Sequence, residues 1–208
     1  MSKMTRREKD EYLLNTVKEK MAESGGILKT ADITGLGIDY RRVVKWLDEG
    51  KIFRLKSGYY AASKEDKPEE DIVAGFFPDG VLTMDSALYA YGYLKEQPME
   101  WHIAIDKNTS KSRFKMDFPL VRPYYTEEEV LKVGVTTTKI NEATFKIYDK
   151  ERLVCECLKY EDKLDRNILK DFLLEYIKDE NKDIVRLLEY AKYRKVSAKV
   201  QTRIGVWL

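Results

Sequence analysis

Few residues of this chain have side chains suited to catalysis or metal binding. It has one histidine, His102, and two cysteines, Cys155 and Cys157. A single histidine excludes a two-histidine metal site and leaves a lone base with no nucleophile placed beside it. Residues two apart on a helix face different directions, so the cysteines are expected to be reduced thiols that neither form a disulfide nor share a metal.

Nucleotide-binding and nuclease patterns are also missing from the sequence. Neither a G-x-x-x-x-G-K-[ST] loop nor a G-x-G-x-x-G loop occurs. A nuclease would need carboxylates and a lysine gathered around metal ions. Glu-x-Lys occurs at residues 65–67, 161–163 and 180–182, but these fall in an expected linker and in helix connections, which favours surface charge. We therefore predict no catalytic residue, no metal site and no cofactor.

Charge is distributed unevenly along the 208 residues. The net charge is +2 overall, but it is +4 over residues 1–63, −7 over residues 64–189 and +5 over residues 190–208. A polyanion such as DNA would attract the first and last parts and repel the middle. This pattern indicates where a nucleic acid is expected to bind.

The basic N-terminal part has the pattern of a winged helix-turn-helix. Helices are predicted at residues 5–23, 31–34 and 40–49, with Thr30 and Asp39 as N-caps and Gly50 ending the third. A hairpin is predicted from strands at 52–55 and 59–61, with Gly58 supplying the positive φ of a tight turn. Such a hairpin is marginal alone and must pack on the helices, as a wing does.

The third of these helices is the candidate DNA-reading element. Val43, Trp46 and Leu47 share one face and are expected to pack inward, which leaves basic residues free to point outward. Arginine can bind guanine edges and lysine can bind phosphates. The alternative is a solvated charged face without a ligand. The predicted DNA-binding residues of the helices and hairpin are Thr30, Tyr40, Arg41, Arg42, Lys45, Arg54, Lys56 and Ser57.

The remainder of the chain predicts an α+β fold in which strands precede a run of helices. We expect a winged helix-turn-helix domain at 1–63, a linker at 64–70 and a mixed α/β domain at 71–208. Strands are predicted at 81–83, 100–106, 119–125, 133–140 and 143–148, followed by helices at 149–160, 165–178, 183–194 and from 197 onward. No apolar run of 18 residues and no signal-peptide pattern occurs, so we expect a cytoplasmic protein without membrane contact.

The C-terminal segment is basic and contains no acid. It is predicted to be either an amphipathic closing helix or a second anion-binding surface. The candidate residues of that surface are Lys192, Arg194, Lys195, Lys199 and Arg203.

Three segments resemble the AbiEi-type antitoxins of abortive-infection, type IV toxin–antitoxin systems. Residues 43–54 with the Gly58-Tyr59-Tyr60 turn resemble the winged helix of that family. Residues 86–92 resemble its alanine-rich helix, and residues 147–154 resemble its strand followed by a helix that opens with Glu-Arg. The family tends to carry an aspartate soon after this pair, where this chain has Glu156 instead.

The resemblance implies a bacterial cytoplasmic protein with two roles. Its winged helix would bind inverted repeats in double-stranded promoter DNA and repress its own operon, and its C-terminal domain would counter a nucleotidyltransferase-like toxin, with or without a stable complex. Two alternatives remain open from the residues. One is a nuclease or nucleotide-processing enzyme held on DNA by its winged helix, and the other is a transcription regulator whose C-terminal domain senses a ligand.

Overall fold

A computed structural model describes residues 4–65 and 67–205 of the chain. It divides into two compact units. The N-terminal unit runs to Ile72 and adds Lys115–Pro119, and the C-terminal unit contains Val73–Phe114 and the chain from Leu120 onward. The sequence does not predict that the segment at 115–119 belongs with the N-terminal residues, because no local pattern reports a contact between segments so far apart.

The N-terminal unit contains three helices and a small antiparallel sheet. Thr5 caps the first helix by accepting a hydrogen bond from the Glu8 N–H, and Glu8 accepts one from the Thr5 N–H in return. In chain order the elements are α1 (Arg6–Glu23), β1 (Leu28–Lys29), α2 (Thr30–Gly35), α3 (Tyr40–Asp48), β2 (Phe53–Lys56) and β3 (Tyr59–Ala61). The three strands form the sheet in the order β1-β3-β2.

Packing of α1 against α3 forms the centre of this unit. Val17 and Met21 of α1 lie in one cluster with Val43 and Trp46 of α3, and all four are buried. The inward orientation predicted for Val43 and Trp46 is confirmed, whereas Leu47 is only half-buried. Burying a large apolar side chain contributes about 1.5–3 kcal/mol, so the core side of α3 is determined by these residues.

The start of α2 differs from the predicted one. The helix begins at Thr30 rather than after it, and Lys29 occupies the N-cap position. The Lys29 N–H donates to the Asp32 carboxylate at 2.9 Å, while the Thr30 N–H donates to the Gly58 carbonyl of the β2–β3 turn at 2.9 Å. The preceding strand β1 has only two residues, too few for a sequence pattern to reveal it.

The C-terminal unit is built on a mixed five-stranded sheet. The strand order is β6-β5-β4-β8-β7, with β4 parallel to β8, β5 parallel to β6, and the other neighbours antiparallel. The strands are β4 (Val81–Leu82), β5 (Trp101–Asp106), β6 (Val121–Thr126), β7 (Val135–Ile140) and β8 (Ala143–Tyr148). All five overlap predicted strands, and their ends differ by at most a few residues.

Helices follow the last strand, so the predicted α+β class with a closing run of helices is confirmed. Helix α4 begins at Glu69, inside the segment predicted as a linker, and a 3-10 helix (Lys111–Phe114) lies between β5 and β6. No helix among the described residues is both long and apolar enough to cross a bilayer. The helices are α4 (Glu69–Phe76), α5 (Met84–Ala90), α6 (Glu128–Leu131), α7 (Lys150–Lys159), α8 (Arg166–Lys178), α9 (Ile184–Arg194) and α10 (Ser197–Ile204).

A buried carboxylate joins two of these helices. Glu156 of α7 is 2% exposed and accepts from Arg152 Nε through Oε1 and from Arg194 Nη2 through Oε2, both at 2.7 Å. Arg152 is fully buried and Arg194 is 5% exposed. Arg194 Nη1 also donates to Thr126 Oγ1 at 3.2 Å, which connects α9 to the end of β6. These three charged residues, Arg152, Glu156 and Arg194, are called the Glu156 cluster below.

Arg152 also satisfies backbone groups of the connection between α6 and β7. Its Nη1 donates to the carbonyls of Val130 at 3.0 Å and Val133 at 2.9 Å. Gly134 has a positive φ of 73°, and a Cβ there would lie 2.7 Å from the Arg152 Cβ. The glycine is therefore required both for its backbone conformation and for the close approach of Arg152.

Removing the carboxylate charge of the Glu156 cluster is expected to destabilise the protein strongly. Glu156→Gln leaves two buried guanidinium groups without a counter-ion, and breaking a buried pair costs about 3–5 kcal/mol. Urea denaturation followed by circular dichroism measures the change. Glu175→Gln is the matched control, because Glu175 forms an exposed pair with Lys178 and its loss should cost less than about 1 kcal/mol. Equal, small losses in both variants would show that the cluster does not stabilise the fold.

His102 is buried in the middle of β5. It is 3% exposed, and its ring centroid lies 5.4 Å from that of Tyr124. The backbone N–H of His102 donates to Ser86 Oγ at 2.8 Å. Burial, followed by the positive charge of Arg122, lowers the pKa of His102 from 6.5 to about 4. The imidazole is therefore neutral in the folded protein at any pH well above 4.

This burial predicts a loss of stability in mild acid. The unfolded histidine binds a proton near pH 6.5 and the folded one only near pH 4, so stability is complete above about 6.5 and falls as the pH drops towards 4. Between pH 7 and pH 5 the loss should approach about 2 kcal/mol at 1.36 kcal/mol per pH unit. Urea denaturation at several pH values tests this. His102→Gln removes the titrating group, and an unchanged pH slope in that variant would contradict the assignment to His102.

Candidate nucleic-acid interface

Helix α3 presents an exposed face that starts at its N-terminus. Asp39 caps the helix by accepting from the Arg41 N–H at 2.7 Å. Because Val43 and Trp46 are buried on the inner side, Arg41 lies on the outer side and is exposed, as is Tyr40. The predicted outward orientation of these two residues agrees with the structure.

Two other predicted residues of α3 are held by an acid that the sequence does not connect to them. Asp10 of α1 lies 3.0 Å from Lys45 Nζ and 3.3 Å from Arg42 Nη1, and it accepts from Trp46 Nε1 at 3.4 Å. Burial alone would raise the pKa of Asp10, but the hydrogen bonds of Lys45 and Trp46, with the charges of Lys45 and Arg42, outweigh it and lower the pKa. The carboxylate therefore stays ionised and positions both cations beside α1.

These residues line a basic cleft between the start of α1 and the outer face of α3. Six basic and three acidic side chains surround it, so its net charge is positive. We call it the α1–α3 cleft. Its basic residues are Arg6, Arg7, Arg41, Arg42, Lys45 and Lys51, and its acidic residues are Asp10, Glu11 and Asp39.

The β2–β3 hairpin is tied to the start of α2 and to α3. Besides the Thr30 N–H bond to the Gly58 carbonyl, Thr30 Oγ1 lies 3.5 Å from the hydroxyl of Tyr60, which also bonds with Tyr40. Burial raises the pKa of Tyr60, so its hydroxyl stays protonated and able to donate. Gly58 has a φ of 81°, as the tight turn requires. Thr30 and Tyr40 therefore position the hairpin and the helix as well as facing outward.

At the hairpin itself, two lysines approach one ring. Lys56 Nζ lies 4.8 Å from the centroid of the Tyr59 ring and Lys29 Nζ lies 5.9 Å from it. Ser57, in the turn, is exposed. A lysine over a tyrosine face is held in place while its ammonium remains accessible to an anion. These residues form what we call the hairpin patch: Lys29, Lys56, Ser57 and Tyr59.

Arg54 is exposed but already has a partner. Its Nε lies 2.6 Å from an oxygen of Asp117, in the segment at 115–119 that belongs to this unit. The same segment bonds along β2, since the Leu55 carbonyl accepts from the N–H groups of Asp117 at 2.8 Å and Phe118 at 3.1 Å. The charge of Arg54 is thus neutralised directly by Asp117.

The predicted second anion-binding surface in the C-terminal unit is only partly present. Arg194 is buried in the Glu156 cluster, so it does not belong to an exposed surface, contrary to prediction. Lys199 and Arg203 each pair with Glu161 at 2.9 Å, and these contacts lower the pKa of Glu161. Lys192 and Lys195 are exposed. The net charge of residues 190–208 does not reveal this pairing, because Glu161 lies about 40 residues from Lys199 and Arg203.

The other chemically capable residues do not assemble into a metal centre in the described parts of the chain. Within residues 4–65 and 67–205, no three His, Cys, Asp or Glu side chains are grouped closely enough to hold a metal ion. Cys155 and Cys157 are both free and buried, as expected for thiols. Burial raises the pKa of Cys155 to about 12, so this thiol is protonated near neutral pH.

Sequence reasoning missed six charged residues of the interface and predicted Asp39 only as an N-cap. The six are Arg6, Arg7, Asp10, Glu11, Lys29 and Lys51. The contact of Asp10 with Lys45 spans 35 positions, which no local spacing rule reports. A weak signal was available for the arginines, because Arg7 lies two helical turns before the buried Leu14 and Arg6 three turns before the buried Val17, on the side of α1 that packs inward. Their convergence with α3 depends on how the two helices pack.

Removing the acid of the α1–α3 cleft is expected to strengthen polyanion binding. Asp10→Asn keeps an acceptor for Trp46 but removes the negative charge beside Arg42 and Lys45, so the variant should elute from a heparin column at higher salt. Glu19→Gln, on the exposed side of α1, makes the same change in net charge away from the cleft. Equal elution of the two variants would show that the cleft is not the polyanion-binding surface.

Comparison with known proteins adds no family assignment. Neither a scan of the chain against protein-family models nor a search of curated proteins gave a match. Support for a function therefore comes from the residues of the interface and from the resemblance of the sequence to AbiEi-type antitoxins.

Proposed function

We propose that the N-terminal unit is a winged helix-turn-helix that binds double-stranded DNA. The observation that carries this proposal is the placement of Arg41, Arg42 and Lys45 at a positively charged cleft on the outer side of α3, with the hairpin patch tied to the start of α2. In this proposal α2 and α3 form the helix-turn-helix and the β2–β3 hairpin is the wing. The element order and the apolar inner face of α3 support the assignment.

The part of the DNA that each residue would contact depends on the chemistry of its side chain. Arg41, exposed at the N-terminal end of α3, suits bidentate contact with a guanine edge, because residues at that end of a recognition helix reach the bases in the major groove. Arg42 and Lys45, held by Asp10, suit backbone phosphates, as do Arg6 and Arg7 at the cleft. Lys56 and Ser57 of the hairpin would contact the adjacent backbone or the minor groove.

The biological role follows from the resemblance rather than from the interface. We infer that the protein represses its own operon by binding inverted repeats in the promoter, and that its C-terminal unit counters a nucleotidyltransferase-like toxin in the bacterial cytoplasm. Support for this part is limited to the three segments that resemble AbiEi-type antitoxins. The Glu-Arg pair of that resemblance, Glu151 and Arg152, is buried, which gives it a structural role in α7.

Removing the arginines at the start of α3 is expected to weaken promoter binding. Arg41→Ala with Arg42→Ala removes one base contact and one phosphate contact, and a bidentate pair contributes about 1–3 kcal/mol, so affinity should fall by roughly tenfold or more. Fluorescence anisotropy with a duplex from the protein's own promoter measures the loss. Lys170→Ala, an exposed cation of α8, is the control and should bind normally. Unchanged affinity in the double variant would refute α3 as the recognition helix.

A companion variant separates base contacts from phosphate contacts. Lys56→Ala should weaken binding to the promoter and to an unrelated duplex alike, and should reduce the slope of log affinity against log salt by about one. The double variant at α3 should instead lose most of its preference for the promoter. Loss of sequence preference with Lys56→Ala would place base recognition in the hairpin.

The antitoxin role can be tested independently of DNA binding. The full-length chain is co-expressed with the product of the adjoining reading frame, and growth is measured. If the C-terminal unit counters the toxin, the Arg41→Ala, Arg42→Ala variant should still restore growth while it no longer represses a promoter–reporter fusion. Failure of the unaltered chain to restore growth would refute the antitoxin role and favour a regulator that senses a ligand or partner.

A further inference from the structure

A pocket of about 560 Å³ opens in the C-terminal unit beside His102. This volume lies within the range of small-molecule sites, roughly 300–1,000 Å³. It is lined by His102 of β5, Asp85 of α5, the irregular chain at 94–100, Arg122, Lys163 and Ile168. None of these residues belongs to the proposed DNA interface, so the inference below does not rest on DNA binding.

The pocket lining includes two buried hydrogen-bonding atoms without partners. Within the described residues, neither Nδ1 of His102 nor Oδ1 of Asp85 has a hydrogen-bond partner. The side chains of His102 and Asp85 are 4% and 25% exposed, and His102 Nδ1 lies 3.8 Å from Asp85 Oδ2, too far for a direct hydrogen bond. A buried polar atom without a partner costs about 1–3 kcal/mol, so a ligand group that donates to both atoms would remove this cost.

The backbone next to Asp85 has a constrained conformation. Met84, next to Asp85, is a non-glycine residue with a φ of 47° and is buried. The Thr83 N–H donates to the His102 carbonyl at 3.1 Å, and Ser86 Oγ accepts from the backbone N–H of His102 at 2.8 Å. A left-handed conformation in a bulky residue costs free energy and persists only where its surroundings enforce it. The β4–α5 turn therefore holds Asp85 against His102 in one arrangement.

Two exposed lysines, Lys95 and Lys163, line the pocket. The Nζ of Lys163 lies 5.0 Å from the ring centroid of Tyr160 and 5.5 Å from that of Tyr124, which hold the ammonium in place. The third lining cation, Arg122, is paired with Glu100. Lys163 is thus a cation held at the pocket that can bind an anionic group.

We propose that the pocket binds a nucleoside monophosphate whose base carries an exocyclic amino group, with that amino group donating to Asp85 and His102 and the phosphate facing Lys163. The lining has three basic side chains, Lys95, Arg122 and Lys163, and three acidic ones, Asp85, Glu96 and Glu100. A nucleobase amino group supplies a hydrogen-bond donor without a charge, whereas a free amine would supply a charged one, and the experiment below distinguishes the two.

The single histidine provides a site-specific probe for this proposal. In full-length protein labelled with nitrogen-15 at histidine, the imidazole signals come from His102 alone. Cytidine and uridine monophosphate form a matched pair of probes, because the amino group of one base is replaced by a carbonyl in the other. We expect cytidine monophosphate to shift the His102 signals to saturation, and uridine monophosphate to bind at least about tenfold more weakly, a difference of about 1.4 kcal/mol.

Two variants test the separate halves of the site. Asp85→Asn replaces one of the two carboxylate acceptors with a donor, so the preference for cytidine monophosphate should decrease. Lys163→Gln should weaken both nucleotides by the same factor and keep the preference, and Lys170→Gln, which lies outside the pocket, should change neither. Lys163 is exposed, so this arm remains informative if Asp85→Asn does not fold.

Four outcomes would overturn the proposal. The first is an absence of any His102 shift with millimolar cytidine monophosphate, and the second is equal affinity for the two nucleotides. The third is a saturable shift with glycine but not with either nucleotide, which would assign the pocket to amines. A phosphate-only site would appear as equal shifts with inorganic phosphate and both nucleotides, and would also refute recognition of the base.

Discussion

The carboxylate of Glu156, enclosed between Arg152 and Arg194, is the interaction on which the C-terminal unit depends. A charge this deeply buried is tolerated only when it is paired and its hydrogen bonds are satisfied. Here the pairing joins α7 to α9, and the two arginines extend it to Thr126 and to the connection before β7. The Glu156 cluster therefore also determines which elements of this unit pack together.

A carboxylate has a comparable position in the N-terminal unit but a different consequence. Asp10 is 13% exposed and holds Arg42 and Lys45, which are 30% and 54% exposed. Solvent weakens such a pair, so it contributes little to stability. Its effect is to place two cations at one cleft, where a phosphate can compete for them. The difference in burial thus distinguishes the Glu156 cluster, which is structural, from the Asp10 ion pairs, which position cations at a proposed binding surface.

His102 and Asp85 represent a third arrangement, in which two polar side chains lie close without satisfying each other. In both ion pairs above, the carboxylate is hydrogen-bonded inside the chain. At this pocket the Oδ1 atom of Asp85 and the Nδ1 atom of His102 have no hydrogen-bond partner among the described residues, and the neighbouring backbone at Met84 is in a strained conformation. Unsatisfied groups and strain tend to persist where a site requires them, and here both occur beside a pocket.

The sequence by itself determined the α+β class, the closing run of helices, the buried side of α3 and the hairpin, because apolar periodicity, caps and turn glycines act over a few residues. Tertiary structure alone decided which charges are available. Arg194 is neutralised by Glu156 at a separation of 38 residues, Lys45 by Asp10 at 35, and Arg54 by Asp117 at 63. The physical reason is that an ion pair depends on distance in space and on exclusion of water. Both are set by the packing of remote segments, which local sequence patterns do not report.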